Sequence, residues 1–231
     1  MQRDDLIKFL VNEIVSRKSE KPPKIGIDGK SAAGKTTIAD DLGQVLKGKG
    51  FEVLRPSVDG FHFSRARRYR QGEFSAKGYY SDAYDYETLK KLLLEPLSGN
   101  AFPVTCRLVN HDIRAEASVE APSVMAGKNT ILLFDGIFLT RHEINSYWDY
   151  RILLSIDAGT SLSRALVRDA KSMGSTDLIR RKYAERYEPA WEMYQILESP
   201  NAKVDVVIDN NDFTNPQILN ARQYAVRACG L

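Results

Sequence analysis

Residues 24–37 read KIGIDGKSAAGKTT, and this stretch decides the fold. Positions 29–36 match the pattern G-x-x-x-x-G-K-[ST] at every fixed place. A short apolar run precedes the match and apolar residues at helical spacing follow it, which predicts a strand, a glycine-rich turn and a helix. A phosphate-binding loop requires this context, because the glycines let backbone N–H groups surround an anion and the helix start adds its positive dipole.

The loop predicts a bound nucleotide together with Mg²⁺. Lys35 is expected to reach the β- and γ-phosphates, and the Thr36 hydroxyl is expected to bind the metal ion. The alternative is coincidence, which we estimate at roughly one chain of this length in a hundred. The residues expected to hold the nucleotide are Gly29, Ser31, Ala32, Ala33, Gly34, Lys35, Thr36 and Thr37.

The rest of the chain predicts a doubly wound α/β domain, because strand patterns alternate with helical ones. The runs TILLFDGIFL (130–139) and RILLSI (151–156) are typical of parallel strands covered on both faces. Further strands are predicted at 51–58 and 204–208, extended segments at 102–109 and 118–122, and helices at 6–15, 86–97, 161–171, 177–197 and 217–228. The apolar residues of segment 61–82 do not recur at helical or strand spacing, and the segment is expected to form a long functional loop.

The composition argues against several classes of protein. Lys and Arg (33) nearly balance Asp and Glu (30), which argues against a nucleic-acid partner. No stretch approaches the length of a membrane span, so no membrane partner is expected. Cys106 and Cys229 match no metal or redox spacing and indicate a reducing compartment, which predicts a cytoplasmic location. A homo-oligomer is compatible with these features.

Asp59 and Asp135 each end a predicted strand within an Asp-Gly pair. Because open α/β folds bind ligands at the carboxyl ends of their strands, both carboxylates are expected at that edge. Asp135 is placed to hold the Mg²⁺ shell, and Asp59 is placed to accept a hydroxyl proton and aim its oxygen at phosphorus. The alternative is that each pair only forms a turn, as Asp-Gly often does.

Two groups of arginines are candidates for phosphate or acceptor binding. Arg164 and Arg168 are four residues apart and share a helix face, so they either close over a triphosphate or lie on a solvated surface. The second group follows Asp59 and consists of Arg65, Arg67, Arg68 and Arg70. One short cluster in a nearly neutral chain disfavours a nucleic-acid patch, so contact with an acceptor or with solvent is expected.

His62 and His111 have no partner at metal-ligand spacing. A structural role is the default for either histidine, and contact with an acceptor is the alternative.

Seven runs of the chain occur in an order that resembles a known group of enzymes. They are GIDGKSAAGKTT (26–37), VDGFH (58–62), YDYETL (84–89), FDGIFL (134–139), RALVRD (164–169), YEPAWEMY (187–194) and VDVVID (204–209). Their order resembles the uridine kinase, phosphoribulokinase and pantothenate kinase group, with uridine kinases as the nearest pattern. The resemblance extends from Ile25 to about Asp209.

The resemblance implies a three-layer P-loop NTPase fold with a mainly parallel five-stranded sheet, a helical lid and a small β-hairpin. It implies ATP as the phosphoryl donor, with Mg²⁺. The whole chain, 1–231, is then one kinase domain. Its parts would be the phosphate loop and acceptor strand (22–60), an acceptor loop (61–85), a β excursion (102–122) and a lid (159–182).

The resemblance also implies roles for single residues. Asp59 would orient the acceptor, Asp85 would contact ribose hydroxyls, and His111 would touch a nucleobase. His62, where the group usually has tyrosine, is counted with them as an acceptor contact. Asp135 would lie near the metal, at a place where uridine kinases usually carry glutamate. Arg164 and Arg168 would be the arginines of the lid.

Two departures bear on the acceptor. In uridine kinases an aromatic pair ahead of the histidine matched by His111 grips the pyrimidine. Here Cys106 and Leu108 stand at the places of that pair. The Arg-Gly-Arg that usually follows the lid helix is Met173-Gly174-Ser175. The phosphate machinery is therefore retained while the base pocket is altered.

We therefore expect ATP-dependent phosphorylation of a small-molecule hydroxyl, with the 5′-hydroxyl of a nucleoside as the leading acceptor. Lys35, Asp59, Arg164 and Arg168 are the expected catalytic residues. One alternative is a kinase for another small alcohol, such as pantothenate, glycerate or a sugar. A regulatory NTPase is a second alternative, although the chain has no Asn-Lys-x-Asp motif for reading guanine.

Overall fold

One six-stranded sheet forms the centre of the molecule. The computed structural model describes residues 1–221, and at residues 171 and 172 it describes the backbone alone. The strands of this sheet are β1 (Lys24–Gly29), β2 (Glu52–Leu54), β7 (Thr130–Asp135), β8 (Tyr150–Ser155), β9 (Val206–Asp209) and β10 (Gln217–Ala221). Their spatial order is β10-β9-β8-β1-β7-β2, so β1, the strand before the phosphate loop, lies between β7 and β8.

Five strands of the sheet are parallel, as predicted, and one is not. β10 runs antiparallel to β9 at one edge. The prediction of a helix at 217–228 is therefore wrong for Gln217–Ala221, and its remainder lies outside the described residues, as does Cys229. The segment is short, and its Ile218 packs against the core beside β9 while its neighbours are exposed, so pairing with a strand edge prevails over local helix propensity.

Helices cover both faces of the sheet. They are α1 (Arg3–Val15), α2 (Lys35–Gly48), α3 (Arg65–Arg68), α4 (Ala76–Asp82), α5 (Tyr86–Leu89), α6 (Glu95–Ser98), α7 (Ala158–Arg168), α8 (Ala170–Met173), α9 (Thr176–Lys182), α10 (Glu188–Glu198) and α11 (Pro200–Lys203). One-turn π segments at Lys90–Leu94 and Tyr183–Tyr187 join α5 to α6 and α9 to α10. The helices predicted at 86–97 and 177–197 are therefore continuous, with one widened turn in each.

The central strands alternate their side chains between two hydrophobic cores. Ile131 and Leu133 of β7 face one core, where α1 and α2 also pack. Leu132 and Phe134 face the other core, which includes α10 and both tryptophans. Each strand is therefore covered on both faces, as the continuous apolar runs predict. Within the described residues, no helix is long and apolar enough to span a bilayer.

Residues 61–82, which were predicted to be a loop, contain local structure instead. A 3₁₀ turn at Val58–Phe61 is followed by α3 and α4. The Ser75 hydroxyl caps α4 by accepting a hydrogen bond from the Gly78 N–H at 3.0 Å, and Phe61 is fully buried. The prediction failed because these helices are held by caps and single anchors rather than by a repeating apolar face.

The β excursion consists of two small sheets rather than one hairpin. Its strands are β3 (Val104–Cys106), β4 (His111–Asp112), β5 (Ala117–Ser118) and β6 (Val124–Ala126). β3 pairs with β6, and β4 pairs with β5, both antiparallel. Since the Asn110 N–H donates to the Gly60 carbonyl at 2.8 Å, this excursion is tied to the 3₁₀ turn that carries Asp59.

Candidate active site

The glycine-rich loop connects β1 to α2 through a tight backbone path. Gly34 has φ of +90°, a conformation that glycine adopts without strain. A Cβ at Gly34 would lie 2.7 Å from Asn210 Nδ2, and one at Gly29 would lie 2.7 Å from the Leu154 carbonyl oxygen. The glycines are therefore required by close contacts with β8 and with the end of β9, as well as by the turn itself.

Lys35 lies within the loop and points back along it. Its Nζ donates to the carbonyls of Gly29 and Lys30, each at 2.8 Å. Burial lowers the pKa of Lys35, and the charges of Asp135, Asp28 and Asp59 oppose that shift. These interactions place the ammonium group among the carboxylates of the site. A bound triphosphate would supply oxygens in place of the two carbonyls.

Thr36 and Asp135 meet at the start of α2. The Thr36 hydroxyl donates to Asp135 Oδ2 at 2.8 Å. Hydroxyl and carboxylate oxygens are ligands that Mg²⁺ prefers, so this pair fits the metal ion that the phosphate loop predicts. Asp135 Oδ1 accepts from Arg55 Nη1 at 2.7 Å, however, so both carboxylate oxygens already have partners. The binding of a metal ion by Thr36 and Asp135 stays a prediction, and the structure adds Arg55 as a neighbour of that pair.

A cavity of about 580 Å³ opens over the loop; we call it the P-loop cavity. It is lined by Arg3, Ala32, Ala33, Gly34, Lys35, Thr36, Thr37, Asp41, Arg164, Arg168, Asn210 and Phe213. Six of the eight predicted nucleotide-binding residues are among them. Gly29 lies at the end of β1, and Ser31 faces a different cavity.

That second cavity, of about 190 Å³, is the Asp59 cavity. It is lined by Ser31, Asp59, His62, Arg68, Tyr69, Tyr79, Ala83, Tyr84, Ile113, Arg168, Asp169, Met173, Arg186 and Tyr187. Arg168 lines both cavities, and it donates a hydrogen bond to the loop residue Ser31, which lines the second. An anion in the first cavity and a small molecule in the second would thus meet at Arg168.

Asp59 and Asp135 lie at the same edge of the sheet. Ser57 forms an isolated parallel bridge with Asp135, and Asp59 follows two residues later in the 3₁₀ turn. The Asp59 side chain is 69% exposed, which leaves its carboxylate accessible to a ligand. His62 is buried beside it, with Nδ1 3.0 Å from the Asp59 carbonyl oxygen.

Asp85 and His111 lie outside the lining of the Asp59 cavity. Asp85 caps α5, accepting hydrogen bonds from the Thr88 N–H at 3.0 Å and the Thr88 hydroxyl at 2.8 Å. His111 is buried on β4, with Nε2 3.6 Å from Glu116. Their contacts with a ribose and a nucleobase stay predictions, and the structure does not bring them together with Asp59 around one cavity.

The two predicted lid arginines extend from α7 toward the loop. Arg164 Nη2 donates to the carbonyls of Asn210 and Asn211, each at 2.9 Å. Arg168 forms two hydrogen bonds with Asp169, at 2.6 and 2.8 Å, and its Nη2 also donates to Ser31 Oγ at 3.3 Å. Arg164 therefore lies at the far end of the P-loop cavity, and Arg168 lies where the two cavities join.

Cys106 and Leu108, which stand in place of the aromatic pair of uridine kinases, do not line the Asp59 cavity. Cys106 is buried within a hydrophobic core, and Leu108 packs against that core. Aromatic rings reach the cavity from other elements. They belong to Tyr69, Tyr79, Tyr84 and Tyr187. Arg186 lies between two of them, with its guanidinium 4.9 Å from the rings of Tyr69 and Tyr79.

The sequence analysis missed two charged residues beside the loop. Asp28, at the end of β1, is fully buried and accepts from the Leu139 N–H at 3.1 Å and the Tyr194 hydroxyl at 2.5 Å. Burial raises the pKa of Asp28, and these hydrogen bonds oppose the shift. Arg55 was missed as well. A charge at the end of an otherwise apolar strand was the available signal for Asp28, and the sequence offered no such signal for Arg55.

The comparison with protein families identifies the class of this protein. A model of the Phosphoribulokinase / Uridine kinase family matches residues 24–211. The chain belongs to this family, which confirms the resemblance found in the motifs.

The individual relatives are identical to this chain at about a quarter of the aligned positions. Uridine-cytidine kinase B of Dictyostelium discoideum is 26% identical over 205 residues, which cover 87% of this chain and 80% of the relative. A uridine kinase of Chlamydia pneumoniae is 25% identical, with 81% of each chain covered. The solved structure of a possible uridine kinase from Bacillus stearothermophilus superposes with a TM-score of 0.68 at 26% identity, covering 88% of this chain and 97% of the other.

Other solved structures share the fold alone. A D-glycerate 3-kinase from Cryptococcus neoformans has a TM-score of 0.62 at 12% identity, covering 93% of this chain and 99% of the other. These likenesses confirm the α/β fold class that the sequence predicts.

Proposed function

We propose that this protein transfers the γ-phosphoryl group of ATP to a hydroxyl of a small molecule. The observation that carries the proposal is the pair of adjoining cavities, with the phosphate loop in one, Asp59 in the other and Arg168 in both. Phosphoryl transfer needs a donor phosphate and an acceptor oxygen in line, with the charge between them neutralised. Two cavities that share an arginine, one with the phosphate loop and the other with Asp59, support that arrangement.

Each residue has a role in the proposed reaction. The acceptor oxygen forms a bond to the γ-phosphorus while the bond from that phosphorus to the β–γ bridging oxygen breaks, and ADP leaves. Asp59 orients the hydroxyl and accepts its proton. Lys35 and the loop N–H groups bind the β- and γ-phosphates, Arg168 stabilises their charge, and Arg164 closes the far end of the P-loop cavity.

Magnesium would be held by Thr36, with Asp135 supporting it. When bound, it neutralises charge on the β- and γ-phosphates.

The leading acceptor is the 5′-hydroxyl of a nucleoside, a proposal supported by likeness to proteins named uridine kinase. A second candidate is a more compact alcohol, such as a sugar, glycerate or pantothenate. The size of the Asp59 cavity, about 190 Å³, and the absence of Cys106 and Leu108 from its lining favour this candidate. A panel of nucleosides, sugars and hydroxy acids distinguishes the two.

The experiment measures ADP release with each acceptor, for the wild-type chain and for Asp59→Asn. We expect one acceptor class to raise ADP release well above the background of ATP hydrolysis. We expect Asp59→Asn to lower kcat by about 10²- to 10⁴-fold, because the amide cannot accept the proton. Asp112→Asn, at an exposed position of β4, is the matched control. No stimulation by any acceptor, or full activity in Asp59→Asn, would refute the proposal.

The setting of the enzyme is part of the same proposal. We place it in the cytoplasm, as one kinase domain whose lid spans 159–182 and whose acceptor loop spans 61–85. Its partner is the small-molecule acceptor, without nucleic acid or membrane. The free thiol of the buried Cys106 is consistent with a reducing compartment.

A further inference from the structure

Arg55 lies behind the metal-binding residues, directly after β2. Its guanidinium has four polar contacts: with Asp135 Oδ1 at 2.7 Å, Asp40 Oδ1 at 3.0 Å, the Thr36 carbonyl at 3.1 Å and the Pro56 carbonyl at 3.3 Å. The Arg55 side chain is 19% exposed. A planar fork can reach these acceptors at once, whereas a lysine ammonium cannot.

Asp135 is the buried partner in this arrangement. Its side chain is only 4% exposed. Oδ1 accepts from Arg55, and Oδ2 accepts from the Thr36 hydroxyl. The carboxylate therefore has a positive counter-ion inside the protein, independent of any metal.

We propose that Arg55 is a positioning residue that acts as an internal counter-ion for Asp135 in the nucleotide site. The inference rests on the proposed function, because it concerns the same site. Arg55 neutralises the carboxylate next to the phosphate loop and keeps Asp135 Oδ2 directed at Thr36. The loop can then accept a polyphosphate before Mg²⁺ has bound.

Removal of the Arg55 charge should lower the affinity of the site for metal-free ATP. Without Arg55, Asp135 is a buried carboxylate that has lost its hydrogen-bonded cation, so more of its negative charge acts on the phosphates and on the nearby Lys35. This repulsion weakens the binding of metal-free ATP. Mg²⁺ can replace the missing charge, because a carboxylate is a suitable ligand for it. Loss of Arg55 should therefore make nucleotide binding depend more strongly on Mg²⁺.

Isothermal titration calorimetry with ATP, in EDTA and in excess Mg²⁺, tests the proposal. For Arg55→Gln we expect the Kd in EDTA to rise about tenfold, while the Kd in Mg²⁺ changes less than about threefold. Arg55→Lys keeps the charge but cannot make all four contacts, so its Kd in EDTA should lie between that of wild type and that of Arg55→Gln. Adding Asp135→Asn to Arg55→Gln should restore metal-free binding.

Asp135→Asn alone provides a test that does not depend on whether Arg55→Gln folds. It leaves the Arg55 charge without its carboxylate, so metal-free ATP should bind more tightly than to wild type. Lys128→Gln, at an exposed ion pair with Glu20, controls for loss of a surface cation. Thermal melts verify that each variant is folded.

Three outcomes would overturn the inference. They are an equal loss of affinity with and without Mg²⁺ in Arg55→Gln, failure of the double variant to restore binding, and weaker metal-free binding in Asp135→Asn. The first two would reduce Arg55 to a structural clamp between β2 and α2. A wild-type chain that binds neither ATP nor MgATP would refute the proposed function itself, and this inference with it.

Discussion

His62 is held between the Asp59 carbonyl and the ring of Tyr84. Its Nδ1 lies 3.0 Å from the carbonyl oxygen, and its ring centroid lies 4.5 Å from that of Tyr84. A carbonyl only accepts hydrogen bonds, so Nδ1 carries the proton and Nε2 is an acceptor when the ring is neutral. Burial lowers the pKa of His62, against the opposing charge of Asp59. The Asp59 cavity is therefore lined by a neutral imidazole at pH 7.

This lowered pKa predicts a pH dependence of stability. The unfolded chain has a histidine pKa of 6.5, and the folded chain has a lower one. Between the two values the unfolded state binds more protons, so stability is lost as the pH falls through 6.5 toward the folded pKa. We expect the wild type to lose more stability than His62→Gln between pH 7.5 and pH 5.5. Urea unfolding at both pH values measures the difference.

His142→Gln is the control for this prediction, since that histidine side chain is 75% exposed. An equal loss of stability in wild type and His62→Gln would mean that the buried imidazole does not titrate in this range.

Single residues were predictable from the sequence where they follow a strand. Lys35, Asp59 and Asp135 lie at one sheet edge, since their motifs fixed both the strand and the turn after it. Arg55 could not be assigned, because its meaning depends on Asp135, 80 residues away in the chain. A pattern of spacings carries no information about such a cross-strand pair.

Segment 210–215, after β9, closes the far end of the P-loop cavity together with α1. Arg3 Nη1 donates to the Phe213 carbonyl at 3.3 Å, while its Nε and Nη2 bind Asp41 at 2.9 and 2.6 Å. The Phe213 ring is 5.8 Å from the Arg164 guanidinium. Both Arg3 and Phe213 lie outside the span that the family model matches, 24–211.

We expect Arg3→Ala to weaken ATP binding several-fold while leaving tripolyphosphate binding unchanged. Tripolyphosphate has no base, so it contacts the loop but not the Phe213 end of the cavity. Calorimetric titration with each ligand gives the two affinities. Lys8→Ala, at an exposed position of the same helix, is the matched control. An equal loss for both ligands would place the effect at the phosphate end instead.

Elements with a repeating apolar face were predictable, and elements held by single contacts were not. β1, β7 and β8 are buried along almost their whole length, and their runs identified them. α4 depends on a cap at Ser75, and β10 depends on an edge offered by β9. The sequence also placed β9 correctly, but it could not show that the chain turns back to pair with it as β10.

Across the described residues, one sheet separates the two larger of three hydrophobic cores. α1 supplies Leu6, Leu10 and Ile14, all fully buried, to one core. Trp148 and Trp191 lie in the other core. Although the family match begins at residue 24, α1 covers one face of the sheet, so we expect the fold to depend on it.

Leu10→Ala tests this dependence. A fully buried leucine truncated to alanine costs about 2–5 kcal/mol, through lost burial and the cavity left behind. We expect urea unfolding to show that loss, whereas Val45→Ala, at a position 37% exposed on α2, should change stability by less than about 1 kcal/mol. Tryptophan fluorescence reports on the core opposite α1, and far-UV circular dichroism reports on the whole chain. Because the strands β7 and β8 contribute side chains to both cores, both signals should shift to the same lower urea concentration. If only the dichroism shifted, the two faces would unfold separately, and α1 would be an appended layer rather than part of one cooperative fold.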